Sequence, residues 1–276
     1  MRKLGRAIAA VGYREVVWFR RFVADYVVAW LLPLIFGLSI VFLPASVGGV
    51  QRVLHRMGEV LGRSIGLREA LAYGVALSSV ISVVGAVIGD VVQTLINEVK
   101  VAGVIDSILL SVDLGSYATA VAIVRSATLC ILTTLYLPIA LVATLGVKGL
   151  AIYLAMLGAL EVSSVALGCF ATLIALPIAF FTNVSRPWAI GSILVPAILA
   201  GAGLYVPLSF VPAVLRAIAS ITPVPELCTL IRVLVVWGWR PEVLISAALM
   251  CALLAIYLAA STYLSRACGH RVRRGL

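Results

Sequence analysis

Apolar residues in this chain recur in runs of about 18 or more, the length a helix needs to cross the roughly 30 Å hydrocarbon layer of a bilayer. The 276 residues are 63% hydrophobic and only 12% charged, against about 45–50% and 25% in soluble domains. Water is therefore not the main solvent of this chain. The expected fold class is an all-α membrane protein: six transmembrane helices in a single transmembrane domain, 1–276.

The expected spans are 26–43, 70–95, 119–147, 150–181, 188–206 and 243–263. Pro33 is placed to kink the first, and neighbouring helices can satisfy the carbonyl it releases. Gly85 and Gly89 in the second have GxxxG spacing, which admits close approach of another helix. The third and fourth form a tight hairpin around Lys148. Between Pro207 and Pro241 lie two proline-bounded apolar stretches, 213–221 and 226–237, too short to cross and expected as outer re-entrant or interfacial helices within 207–240. The segment 44–69 reads as a polar loop.

Residues 1–22 form an amphipathic stretch. At about 100° per residue, Lys3, Arg6, Arg14 and Arg21 project to one side and Leu4, Ile8, Val11, Trp18 and Phe19 to the other. This suits an interfacial helix with its arginines toward headgroups, although Glu15 interrupts the apolar face. The basic region reaches Arg21 and the following run exceeds a 7–15-residue signal core, so it reads as a retained first span. Basic clusters at both termini place both in the cytoplasm and require an even number of spans. The same topology puts Arg52, Arg56, Arg63 and Arg68 outside and Asp90, Glu98, Asp106 and Asp113 inside, against the charge rule.

The net charge is +10, with basic residues gathered at the ends and in one loop, without the aromatic interleaving of a nucleic-acid surface. Anionic membrane lipid is the expected partner, not nucleic acid. The five cysteines contain no CxxC pair, and His55 and His270 lack a second ligand at metal-binding spacing, so no metal or cofactor is expected. No GxxxxGK[ST] loop surrounds Lys3, Lys100 or Lys148, and no Ser/His/Asp or Cys/His set is present. The chain is not expected to be an enzyme by itself.

One inner segment stands out. Over 97–113, Val101, Val104, Ile105, Ile108, Leu109 and Val112 follow a helical repeat, and Lys100, Asp106, Ser107 and Ser111 occupy the other face. This is an amphipathic helix between two spans, able to meet a soluble partner or to rest on the membrane. Here the chain resembles the membrane subunits of ABC-2 type ABC transporters. Their inner loop carries a pattern like basic-x-x-Gly-Thr-Leu-Glu-x-x-Leu, which stands here as Lys100, Gly103, Asp106 and Leu109, with Val104 at the Thr position and Val112 where a proline is usual. A second similarity covers Gly203, Pro207, Pro212, Leu215, Pro223 and Arg232, in the order of the family's fifth span and outer segment.

The resemblance implies a plasma-membrane permease, not itself hydrolysing ATP, that pairs with a second permease subunit of the same or a homologous chain. A separate nucleotide-binding ATPase subunit would drive it, usually for export of lipids, glycans, drugs or peptides. It implies ATPase contact through Lys100, Gly103, Asp106 and Leu109, and an outer gate near Pro207, Pro212, Pro223 and Arg232.

Charges within the spans carry further expectations. Glu161 lies about 16 Å into the fourth span and should face protein or a water-filled cavity, as a pathway contact for substrate or as a hydrogen-bonded packing residue. Arg125 lies about 15 Å from its level, so the two should not pair, whereas Asp90 and Arg125 share a depth and can. An ion-coupled secondary transporter and a non-transporting membrane scaffold remain alternatives.

Overall fold

The computed structural model describes residues 2–101, 112–182, 184, 186–204 and 210–275. The described residues are helical, with no strand among them. Helix α1 (Arg2–Arg21) leads into α2 (Val23–Gly48), a short α3 (Val50–Leu61) and the long α4 (Leu67–Ile96), which runs on through a π turn, Asn97–Val101. The next rod is α5 (Leu114–Ala120), a π turn (Val121–Arg125) and α6 (Ser126–Thr134), followed by α7 (Leu137–Leu145). Then come α8 (Val147–Phe181), α9 (Trp188–Gly201), α10 (Ala213–Ser220), α11 (Val224–Arg232) with a π turn (Val233–Trp237), and α12 (Pro241–Gly275).

Five of these helical stretches are long and apolar enough to cross a membrane: Leu31–Gly48, Leu67–Lys100, Leu114–Thr134, Val147–Phe181 and Pro241–Gly269. The bent pair Ala213–Ser220 and Val224–Trp237, turned by 90°, brings the number to six if it is one broken span. The expected span at 188–206 is shorter than the sequence implied. Its helix stops at Gly201 after 14 residues, about 21 Å of rise, and Gly203 follows with φ +75°.

Helix α4 is the centre of the bundle. Val80, Val83, Val84, Val87, Ile88, Val91, Val92 and Leu95 are fully buried, and α2, α6, α7, α8, α9 and α11 all pack against it. Close crossings are made by glycine. A Cβ on Gly74 would fall 2.6 Å from the Gly37 carbonyl oxygen, and one on Gly191 would fall 2.9 Å from Gly89 Cα. Gly89 therefore serves the close helix packing expected of its GxxxG spacing, with α9 as the partner. In contrast, α2 and α12 are peripheral and turn Leu31, Leu32, Ile35, Phe36, Leu244, Ile245 and Ile256 outward, a surface that suits lipid or another apolar chain.

The tight turn expected around Lys148 is present at Gly146 (φ +66°), one residue before α8, but it joins α8 to the nine-residue α7, because the third expected span, 119–147, breaks after Thr134. Gly149 lets α8 lie against α7, since a Cβ there would meet the Leu141 carbonyl at 2.2 Å. The break between α6 and α7 precedes Pro138, which has no N–H for the carbonyl four residues back. The segment expected as a polar loop at 44–69 contains α3, which buries Val53 and Leu61 and ends at Gly62 in the left-handed region (φ +75°). Arg63 pairs with Glu69 at the start of α4 and lies over the Trp237 ring, tying α3 to the π turn before α12.

Candidate functional site

Helix α1 has the expected amphipathic length, but a different face is buried. Ala7, Val11 and Glu15 are enclosed against α5 and the following π turn, while Ile8 and Trp18 stay exposed. Glu15, an apparent flaw in the apolar face, is the reason. It is 5% exposed and accepts a hydrogen bond from Arg125 Nη1 at 2.7 Å. Arg125 also donates from Nη2 to Asp90 Oδ1 at 3.0 Å and from Nε to Asp90 Oδ2, so the expected Asp90–Arg125 pair forms and gains a third member. The π turn Val121–Arg125 ends on this arginine, and one extra residue per turn re-aims the side chains that follow it.

A second set adjoins the first. Arg14 donates to Glu98 Oε1 and to the Tyr117 hydroxyl at 3.0 Å, and that hydroxyl donates to Glu98 Oε2. Arg14 also reaches Glu15 at 3.3 Å, which joins the two sets. Burial pulls the Arg14 guanidinium down, but Tyr117 and Glu98 outweigh it and hold it above its ordinary value. The network thus fastens three parts of the chain at one end of the bundle: the N-terminal helix, the last turns of α4 and the first turns of the α5–α6 rod. Glu98 belongs to the π turn from which 97–113 departs. Of the residues expected to meet an ATPase, Lys100 lies in that π turn, and Gly103, Asp106 and Leu109 lie outside the described residues.

Glu161 is fifteenth of the 35 residues of α8. The Cys130 thiol of α6 lies beside its carboxylate, and Oε1 is enclosed with no hydrogen-bond partner among the described residues. Arg125 is engaged elsewhere, as the depth mismatch requires. The carboxylate thus has the weakly donating Cys130 thiol beside it and an enclosed oxygen free among the described residues, an arrangement that leaves capacity for a polar ligand or another chain.

At the opposite end, Pro212 precedes α10 and Pro223 precedes α11, each supplying a fixed φ before a first turn. The 90° bend between α10 and α11 packs α10 on α9 and α11 on α12 and α4. Arg232 closes α11 on the exposed side, with its charge near Tyr73 of α4 and Cys228. Pro207 lies outside the described residues.

Arg14, Glu15, Glu98 and Tyr117 were not among the residues that the sequence singled out as functional. Only the helical phase of Glu15, on a face otherwise apolar, signalled a buried partner. Among the described residues no group of three or more His, Cys, Asp or Glu could hold a metal ion. Comparison with protein-family models, curated proteins and solved structures finds no match.

Proposed function

We propose that this chain is the membrane-spanning permease subunit of an ABC-2 type ATP-driven transporter, an exporter of the plasma membrane with both termini cytoplasmic. It would form its pathway as a dimer and draw on a separate ATPase subunit.

The observation that carries this reading is the clamp between α1 and the root of segment 97–113, made by Arg14, Glu98 and Tyr117. An ATPase that moves a short inner helix does work on a pathway only if that helix is fixed to the spans. Here the fixing includes the interfacial helix and, through Arg125, the spans on both sides of the segment. The order of the remaining elements fits: a short apolar helix, a 90°-bent helix pair as an outer lid, and a final span. Lys100, Gly103, Asp106 and Leu109 are the proposed ATPase contacts, Glu161 the proposed pathway contact, and Pro207, Pro212, Pro223 and Arg232 the proposed outer gate.

The test is purification of the chain from its native membranes under mild detergent. A co-purifying chain with a GxxxxGK[ST] loop is expected, and its retention should drop when Gly103→Arg or Asp106→Lys is introduced. The partly unpaired Glu161 carboxylate favours one second reading, an ion-coupled secondary transporter. Uptake into ATP-free vesicles driven by a proton or sodium gradient would decide for it.

A further inference from the structure

A cavity of about 670 Å³ opens between the N-terminus of α1, the α5 rod and the last turns of α12. This lies within the roughly 300–1,000 Å³ of small-ligand sites. Its walls are two helix faces built on four-residue steps, Gly115, Thr119 and Ile123 on one and Leu258, Thr262 and Arg266 on the other. These steps produce a graded lining. Lys3 and Arg266 stand at one end, the Thr119 and Thr262 hydroxyls (3.4 Å apart) in the middle, and Ile123 and Leu258 at the other end.

Charge at the polar end is net positive. The one acid in the lining, Asp113, is occupied: its Oδ2 accepts from the Ser116 backbone N–H at 2.9 Å and its Oδ1 from the Ser116 hydroxyl at 3.0 Å. Arg266 makes no ion pair among the described residues and is exposed, as is Lys3. Gly115 keeps the cleft narrow at this point, because a Cβ there would meet Arg266 Cγ at 2.9 Å. The lining residues on α5 and α12 belong to helices of membrane-crossing length, so the polar end coincides with the ends of two such helices and the apolar end lies one to two turns deeper.

We propose that this cavity binds one anionic phospholipid. Its phosphate sits between Lys3 and Arg266, its glycerol and ester region meets Thr119 and Thr262, and the start of an acyl chain runs along Ile123 and Leu258. A free phosphate would use the charged end alone and leave the apolar third empty. The graded lining matches a molecule that is charged at one end and apolar at the other. Because Lys3 belongs to α1, a bound lipid fastens the N-terminal helix to α12, a connection distinct from the Arg14 and Arg125 network.

The experiment uses the full chain purified in detergent, with phosphatidylglycerol and phosphatidylcholine titrated by native mass spectrometry. The K3Q/R266Q variant should lose about tenfold or more in phosphatidylglycerol affinity, as expected for two basic groups near an anionic surface, and little for phosphatidylcholine. Thermal unfolding of the lipid-free protein checks that the variant is folded. The R52Q/R56Q variant, altered at exposed basic residues of α3 outside the cavity, should keep wild-type affinity. Dihexanoyl phosphatidylglycerol should bind more weakly than the dioleoyl lipid, which reads the apolar end without any mutation. Equal losses in the two double variants would overturn the site in favour of a general basic surface. Competition by glycerol phosphate at the same concentration as the intact lipid would overturn it in favour of a soluble anion.

Discussion

Replacing Arg125 with methionine removes a side chain that by itself joins α1, α4 and the α5–α6 rod. The guanidinium is 10% exposed and contacts Glu15, 5% exposed, and Asp90, 34% exposed. Breaking a buried ion pair by deleting one partner costs about 3–5 kcal/mol, because the remaining charge stays desolvated. The lower end applies here, since Arg14 still reaches Glu15 at 3.3 Å and Asp90 is a third open to its surroundings. A loss near 3 kcal/mol corresponds to a fall of about 6–12 °C in the unfolding midpoint for a chain of this size. The triple variant E15Q/D90N/R125M leaves no unpaired charge and should recover most of that loss. Thermal unfolding of the purified proteins in one detergent measures both, and hydrogen exchange along α1 should rise in the single variant only. A single variant within about 3 °C of wild type, or a triple variant as unstable as the single, would refute the reasoning.

Other consequences follow from individual residues. Burial pushes the Asp113 carboxyl up, but the two Ser116 hydrogen bonds, its own backbone N–H and the nearby Lys3 charge together hold it below its ordinary value of 3.8. A lowered folded value stabilises above the unfolded value and is lost as pH falls through the folded one. Asp113→Ala should therefore cost about 1 kcal/mol at neutral pH, and the gap to wild type should close below about pH 4 in pH-dependent unfolding. Gly201→Val should loosen the α9–α10 contact, because a Cβ there would stand 2.0 Å from the Leu215 carbonyl; a cost of about 1–3 kcal/mol in unfolding is expected. Glu161→Leu removes a carboxylate with an enclosed oxygen that is unpartnered among the described residues and should leave the unfolding midpoint unchanged or higher. It should nevertheless abolish transport in reconstituted vesicles, and unchanged transport would remove Glu161 from the pathway.

The long apolar helices were legible in sequence because each requires only a local property, an uninterrupted run of apolar residues. The Asp90–Arg125 pair was legible for a similar reason: depth along two adjacent helices can be counted in residues. What escaped depends on distant parts of the chain. Glu15 was read as a flaw in the apolar face of α1 because its partner lies 110 residues away. The buried side of α1 could not be assigned without knowing that α5 would cover it. Helix α3 was read as loop although Val53, Met57 and Leu61 follow a four-residue step, since its arginines and histidine dominate the composition of 44–69. Within the expected span at 188–206 the described helix stops at Gly201, where small residues and Gly203 end it while the apolar run continues.

Among the candidate sites, the bent helix pair was readable from its prolines, which both break a helix and fix the φ of the next. The tie between α1 and the root of 97–113 was not, because Arg14, Glu98 and Tyr117 are dispersed and each is unremarkable in its own segment.

Under the proposed function, this chain is one half of a pathway driven by a separate ATPase chain. The direct measurement is ATP hydrolysis and substrate-independent complex formation in material purified through a tag on this chain from its native membranes. A stoichiometric ATPase chain carrying a GxxxxGK[ST] loop is expected, released by Asp106→Lys and retained in Glu161→Leu. Purification of the folded chain without such a partner, together with gradient-driven transport in ATP-free vesicles, would contradict it.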